Sequence, residues 1–247
     1  MSRIGSNSAK MGILTYQEAM DVTSNNIANV NTDGFKPFRA SLADLIYTPR
    51  DPENEDVQRG HGVRLFKNDL LFTQGAMKET GMPLDFFAEN SALFSVEDPS
   101  GGIYYTKDGS FQVTQNAGGE WELTDGANSY VLDANGEHIV VPYKLDGEGE
   151  PTAELDFSGI SDIVGLFSFA NPQGLRTVGD NYYAETDESG EPAEAERNIR
   201  SGYLEISDSE LSRQMTEVII NQRAFSMNVN MYKTFSEMNS AINSLKN

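Results

Sequence analysis

Both ends of this chain are patterned as long α-helices, and the part between them is patterned as strands and turns. The helix-patterned segments are residues 6–31 and 208–245. Helices at both termini suit self-association better than a catalytic core, because apolar helix stripes can pair with each other and with copies of themselves. The pattern predicts a mainly β fold with terminal α-helices. In it, a discontinuous helical coiled-coil region formed by residues 1–36 and 207–247 flanks a central β-rich domain formed by 37–206.

Apolar residues at alternating spacings of three and four predict the first helix, from Ser6 to Val30. At 1.5 Å per residue it would be about 37 Å long. Gly34 is expected to adopt a left-handed conformation at its C-terminal cap. Asparagine is a poor helix former, so an asparagine cluster near the end either frays the last turns or satisfies backbone or neighbouring-chain groups in an assembly. The stripe contains Ala9, Ile13, Tyr16, Met20, Thr23, Ile27 and Val30, and the cluster contains Asn25, Asn26, Asn29 and Asn31.

The C-terminal segment predicts a second helix with two apolar stripes on different faces. Ser207 and Glu210 have the spacing of a capping box at its start. A stripe that drifts around a helix favours more than one partner helix, although an ordinary intramolecular hairpin is the alternative. The first stripe is Leu211, Met215, Val218, Phe225, Val229 and Tyr232, and the second is Met231, Phe235, Met238, Ile242 and Leu245.

The middle of the chain carries short apolar or alternating runs that are broken by turn residues. Residues 103–106 and 110–113 flank Asp108-Gly109, which predicts a β-hairpin. Further strand-like runs lie at 121–123, 130–132, 139–143, 164–169 and 182–185. These features predict a strand-and-turn domain, either a curled sheet or a small sandwich.

Composition excludes several classes of function. The net charge of −20 argues against nucleic-acid binding, which needs a basic face, and no run approaches the roughly 18 apolar residues of a membrane span. The chain has no cysteine and two histidines, His61 and His138, neither within a catalytic or zinc-binding motif. The acidic stretches lack the order of a calcium loop. We therefore expect no enzyme activity, no cofactor, no metal site and no membrane insertion.

Several motifs along nearly the whole chain resemble the bacterial flagellar basal-body rod and hook protein family, most closely a rod protein. The N-terminal signature is Asn25-Asn26-Ile27-Ala28-Asn29-Val30-Asn31-Thr32 followed by Gly34-Phe35-Lys36. Further matches, in the family's order, are Gly60-His61-Gly62-Val63, Thr73-Gln74-Gly75, Tyr105-Thr106-Lys107-Asp108-Gly109-Ser110-Phe111, Gly202-Tyr203-Leu204-Glu205 and Gln222-Arg223-Ala224-Phe225.

The resemblance implies a structural axial subunit that self-assembles through its terminal helices into a tubular, torque-transmitting shaft. Its partners would be copies of itself in a helical tube, neighbouring rod and hook subunits, and the flagellar export apparatus. It would lie in the basal body after export across the cytoplasmic membrane without a cleaved signal peptide. The alternative is an envelope-associated β-domain that binds polysaccharide or protein and has helical oligomerisation ends. The predicted assembly interface comprises Ile13, Tyr16, Met20, Asn25, Asn26, Ile27, Asn29, Gly34, Phe35, Leu211, Val218, Gln222, Arg223, Phe225, Tyr232, Phe235 and Met238.

Overall fold

The computed structural model describes residues 2–51, 54–116, 118–145, 151–179 and 181–245. The chain folds into two compact units. The helical unit contains residues 1–29, 38–70 and 209–247, and the β-rich unit contains 30–37 and 71–208. Residues 38–70, which the sequence-based division assigns to the β-rich domain, therefore group with the helices. The segment 30–37 groups with the β-rich unit.

Among the described residues, two long helices form most of the helical unit, and a short α-helix and a 3₁₀ turn at Pro172–Gly174 lie in the β-rich unit. The helices are α1 (Ser2–Ala28), α2 (Ile160–Ile163) and α3 (Leu211–Ser244). The predicted β-rich fold with a helix at each end is thereby confirmed. Within the described part of the chain, neither long helix is apolar enough to span a membrane.

The helical unit also contains four strands: β1 (Phe38–Asp44), β2 (Thr48–Asp51), β3 (Asn54–Arg59) and β4 (Val63–Leu70). β1 pairs antiparallel with β4 and β2 with β3, so the segment forms a long hairpin. The Thr15 hydroxyl of α1 donates a hydrogen bond to the Val63 carbonyl at 3.1 Å. This bond ties the base of the hairpin to the first helix.

The described strands of the β-rich unit are β5 (Met77–Glu79), β6 (Phe86–Ala88), β7 (Leu93–Glu97), β8 (Ile103–Thr106), β9 (Gln112–Gln115), β10 (Trp121–Thr124), β11 (Tyr130–Val131), β12 (Tyr143–Leu145), β13 (Pro151–Leu155), β14 (Leu166–Ser168), β15 (Arg176–Gly179), β16 (Tyr182–Ala184), β17 (Ala193–Glu194), β18 (Ile199–Ser201) and β19 (Tyr203–Glu205).

The β-rich unit is built around one large sheet with the strand order β15-β16-β8-β7-β11-β10-β9, to which β14 and β17 are added. The buried core beneath it is apolar and rich in aromatic rings, such as Phe94 and Phe111 at 5.2 Å between ring centroids. Smaller pairs are β5 with β19, β6 with β18 and β12 with β13.

The prediction that residues 103–106 and 110–113 form a hairpin is wrong. β8 pairs with β7 and β16, whereas β9 pairs with β10. The Asp108-Gly109 segment does not close a two-residue turn because Lys107 is buried and Ser110 bridges to Asp85 instead. Tertiary contacts at Lys107 and Ser110 thus override the local turn preference.

The predicted helix boundaries also need correction. α1 ends at Ala28, before Val30, and Gly34 is left-handed at φ 71° but lies six residues beyond the helix. α3 begins at Leu211 with Glu210 at its N-cap, so Ser207 lies before the cap instead of at it, and Glu210 makes no side-chain capping hydrogen bond. The nearby Ser209 hydroxyl donates instead to the Asn26 carbonyl of α1 at 2.9 Å.

Candidate assembly surface

The two long helices pack antiparallel, and their contacts recur at the same seven-residue steps in both. Asn26 of α1 bonds Gln214 of α3. Fourteen residues earlier on α1, Gly12 lies against Asn228, and seven residues earlier again Gly5 lies against Phe235. The corresponding steps along α3 are also fourteen and seven. A shared seven-residue step is the spacing of heptad packing.

Small residues on α1 allow this close approach. A Cβ added at Gly12 would lie 2.5 Å from the Asn228 amide oxygen, and one at Gly5 would lie 2.5 Å from the Phe235 ring. Ala9 and Ala19 are buried along the same helix. A larger side chain at either glycine would therefore push α3 away from α1.

The Asn26 side chain is fully buried and joins three elements of the helical unit. Its amide nitrogen donates to the Phe38 carbonyl at 2.7 Å and to the Gln214 amide oxygen at 3.2 Å. Its amide oxygen accepts from the Phe38 N–H at 2.9 Å. Because one amide makes both backbone bonds to Phe38, Asn26 pairs with the first residue of β1 as a neighbouring strand residue would. The end of α1 is thus fixed to β1 and α3.

One side of α3 carries a seam of large apolar side chains that α1 leaves exposed. We call Ile220, Met227, Met231, Met238 and Ile242 the outer seam. Its residues are separated by seven, four, seven and four positions, so they share one helix face. Each is about half-exposed or more, and Met227 is 66% exposed. Gln214 is the buried residue among those described in α3.

A groove of about 430 Å³ lies beside the outer seam, between α1 and α3. Its α1 wall is formed by small residues that include Gly5, Ala9 and Gly12, and Met231 and Phe235 line the α3 side. Met231 belongs to both the groove and the outer seam. The groove and the seam therefore form one continuous, mainly apolar surface of the helical unit.

The structure places the predicted interface residues in three different settings. On α1, Ile13, Tyr16, Met20 and Ile27 are half-buried, as are Val218, Phe225 and Phe235 on α3. Exposed residues are Asn25, Leu211, Gln222, Arg223, Tyr232 and Met238, while the Asn29 amide bonds the Asn25 carbonyl in its own helix at 3.0 Å. Gly34 and Phe35 lie in the β-rich unit, apart from the rest of the set in the fold.

Sequence reasoning missed the polar residues on the side of α3 that faces α1. Of these, Gln214 bonds Asn26, while the Asn228 amide donates to the Ala224 carbonyl of its own helix. Gln214 and Asn228 lie on the α1-facing side of α3, and Asn221 falls between them at the same seven-residue interval. The interval could have revealed them, but a search for apolar stripes passes over amides. Ile220 of the outer seam was missed because the predicted second stripe begins at Met231, although Ile220 lies on the same helix face.

His138 lies next to two carboxylates, which no motif in the sequence predicted. Its Nε2 lies 3.0 Å from a Glu97 oxygen and its Nδ1 lies 3.9 Å from Glu122, and the ring stacks on Tyr130 at 4.5 Å. Among the described residues, no group of three or more acidic or histidine side chains is arranged to hold a metal ion. The arrangement is a partly exposed cluster in which the His138 ring is hydrogen-bonded to the Glu97 carboxylate.

A β-rich unit joined to a helical unit that leaves a continuous apolar surface uncovered defines a class of protein: a subunit built to be part of a larger assembly. Family models agree with that class. The model described as "Flagella basal body rod protein" matches residues 15–36, and "Flagellar basal body rod FlgEFG protein C-terminal" matches residues 200–245.

Relatives match over nearly the full length. The flagellar basal-body rod protein FlgG of Borreliella burgdorferi is 31% identical over 96% of this chain and 97% of its own. FlgG of Bacillus subtilis is 29% identical over 95% and 96%, and the flagellar hook-basal body complex protein FlhP of the same organism is 26% identical over 93% and 94%. The chain belongs to the flagellar basal-body rod protein family.

Proposed function

We propose that this chain is a structural axial subunit of the flagellar rod, which self-assembles through its helical unit into a tubular shaft that transmits torque. The observation that carries the proposal is the uncovered outer seam with its adjoining groove. Family membership supports the location in the basal body. The seventeen-residue interface predicted from the sequence, and the division into terminal assembly regions and a central domain, belong to this proposal.

The α1–α3 pair would act as a coiled coil within each subunit. The shared seven-residue step between Asn26–Gln214, Gly12–Asn228 and Gly5–Phe235 supports this geometry. The Asn26–Gln214 bond fixes register better than it adds stability, because a slipped pairing would leave these two buried amides without each other.

A second copy of the chain is the occupant we propose for the outer seam and groove. Small groove residues let a neighbouring helix approach closely, and unbranched methionine side chains adapt to irregular surfaces. Burying a large apolar side chain contributes roughly 1.5–3 kcal/mol, so five half-exposed residues would contribute on the order of 5 kcal/mol before ordering costs. When two copies touch through different surfaces, the contact is head-to-tail. Repeating that contact builds a helical tube when the copies do not close into a ring.

The remaining partners follow from the family. The relatives are named as rod and hook-basal body complex proteins, which supports contacts with neighbouring rod and hook subunits. We also propose export through the flagellar export apparatus without a cleaved signal peptide.

Substitution of the outer seam tests the proposal. Changing Met227 and Met238 to serine should raise the protein concentration needed for self-association at least tenfold, measured by sedimentation velocity. The same change should alter the free energy of unfolding of the monomer by less than about 0.5 kcal/mol, because exposed residues contribute little to it.

The matched control is Met82→Ser, since Met82 is 62% exposed but lies in the β-rich unit. It should leave self-association unchanged. Equal self-association of the seam variant and the wild-type protein would refute the seam as the assembly surface, and so would an equal loss in the Met82 variant.

A further inference from the structure

Three buried charged side chains meet inside the β-rich unit, and none of them belongs to the outer seam or to the groove. Lys36, Lys107 and Glu205 each expose 2% or less of their side chains. One Glu205 oxygen lies 2.5 Å from the Lys36 ammonium, and the other lies 3.4 Å from the Lys107 ammonium. The cluster contains two cations and one anion. Charges removed this fully from water persist only where close partners hold them.

Glu205 joins separate segments of the chain through its backbone as well as its carboxylate. The Gly34 N–H donates to the Glu205 carbonyl at 2.6 Å. The Gly75 N–H donates to its carboxylate at 2.7 Å, and the Lys36 ammonium also donates to the Thr73 carbonyl at 2.5 Å. Glu205, at the end of β19, thus connects segment 30–37 with segment 71–76.

Lys107 connects the cluster to the backbone of residues 88–92. Its ammonium donates to the carbonyls of Ala88, Asn90 and Ala92 at 2.8–2.9 Å. Gly34 packs on the peptide that follows Lys107, where an added Cβ would lie 2.6 Å from the Asp108 nitrogen. Gly34 is also left-handed at φ 71°, so this close packing and this backbone conformation both require glycine.

The segments held by the cluster are the ones by which the chain enters and leaves the β-rich unit. The chain passes between the two units at 29–30, 37–38, 70–71 and 208–209. Segment 30–37 contains the first two passages, segment 71–76 follows the third, and Glu205 lies three residues before Asp208. The Leu71 N–H donates to the Pro37 carbonyl at 2.9 Å, which joins two of these segments directly.

We propose that Lys36, Glu205 and Lys107 form an ionic clamp that holds the entry and exit segments of the β-rich unit in one fixed arrangement. Any load carried along the backbone between the units must pass through these segments. Loss of Glu205 would leave two buried ammonium groups without their anion, and release of the segments would let water reach them. The clamp is a property of the single subunit and does not depend on the proposed assembly surface.

Hydrogen exchange in the Glu205→Gln variant tests the clamp. Removing one partner of a buried ion pair is strongly destabilising, so the exchange rates of the Gly34, Leu71 and Gly75 amides should rise on the order of 100-fold or more. Amides of the large sheet, such as Leu123 bonded to Ile139, should change less than tenfold. Exchange is measured residue by residue by NMR on the monomeric full chain.

Glu89→Gln provides the matched control, because Glu89 forms an exposed ion pair with Arg200 at 2.8 Å in the same unit. Exposed pairs contribute little, so its exchange rates should stay within about threefold of the wild type. A Glu205→Gln effect no larger than that of the control would overturn the clamp. An equal acceleration of the sheet amides would also overturn it, since the cluster would then support the whole core.

If Glu205→Gln fails to fold, Lys36→Met separates the same alternatives, because it removes the link to segment 30–37 and leaves Glu205 paired with Lys107. Faster exchange confined to the Gly34 and Leu71 amides supports the clamp, whereas unchanged exchange at these positions refutes it. These measurements need no self-association. A negative result for the clamp is therefore distinct from a negative result for the assembly surface.

Discussion

The two units of this chain differ in how much apolar side chain they bury. The β-rich unit buries a continuous apolar core that includes Phe86, Phe94 and Leu123, together with its charged cluster. In the described part of the helical unit, Leu70 is the one large apolar residue that is buried, and the other buried residues, such as Asn26, are small or polar. Many of its other large apolar side chains lie half-exposed along α3.

This contrast indicates that the units are stabilised differently. The β-rich unit gains its stability from apolar burial within one chain, at roughly 25 cal/mol per Å². The helical unit uses hydrogen bonds to define how α1, β1 and α3 fit together, and it leaves much of the apolar area of α3 exposed. Substitutions should therefore have different consequences in the two units.

Phe94→Ala should produce the largest loss of stability and should act on the β-rich unit. Phe94 is fully buried and packs edge-on against Phe111. Truncating a buried phenylalanine destabilises by about 3–5 kcal/mol. Chemical denaturation followed by the fluorescence of Trp121, which lies in this unit, measures the loss. An effect below about 1 kcal/mol would contradict an independent apolar core.

The stability of the two units should depend differently on pH. Burial lowers the pKa of Lys107 from 10.5 to about 8, an effect that Glu205 partly offsets. Between these values the unfolded chain binds more protons than the folded one, so the stability of the β-rich unit should rise with pH. The difference between the two pKa values corresponds to a gain of roughly 3 kcal/mol in the free energy of unfolding between about pH 8 and pH 10.5. The buried amides and hydroxyls of the helical unit do not titrate there.

Denaturation at pH 7.5 and pH 9.5 measures this rise, with Lys107→Met as the control that should abolish it. The range stops at pH 9.5 because burial raises the pKa of Tyr183, which opposes the effect at higher pH. If the Lys107→Met variant gained as much stability with pH as the wild type, the rise would have to come from another group.

Sequence patterns predicted where helices and strands lie better than they predicted which strands pair. The stripes on α1 and α3 identified both helices, because helical periodicity depends on local spacing. The pairing of β8 and β9 was mispredicted, since the Asp108-Gly109 signal is local while the burial of Lys107 depends on residues 88–92 and Glu205. Long-range polar contacts of this kind leave no periodic trace in a single sequence.

The candidate site shows the same limit. Apolar spacing identified Met231 and Met238 of the outer seam, but it could not tell which stripe α1 would cover. The asparagine cluster was singled out correctly as unusual, yet its members differ: Asn26 is buried and bonded to Phe38, whereas Asn25 is exposed. Adjacent helix residues point about 100° apart, so one of the two was expected to face inward. The predicted stripe continued from Thr23 to Ile27, whereas the buried face passes through Asn26.

The two adjacent asparagines provide the smallest and most specific test. Asn26→Ala would leave the Phe38 N–H and the Gln214 amide without their partner, and a buried polar group left unpaired costs about 1–3 kcal/mol. We expect a loss of about 2 kcal/mol in the helical unit, measured by far-ultraviolet circular dichroism during thermal unfolding. Asn25→Ala should be neutral or slightly stabilising, because alanine is the better helix former and Asn25 is exposed. Equal losses in the two variants would mean that both asparagines act through helix propensity, and the comparison between a hydrogen-bonded helical unit and an apolar β-rich unit would lose its main support.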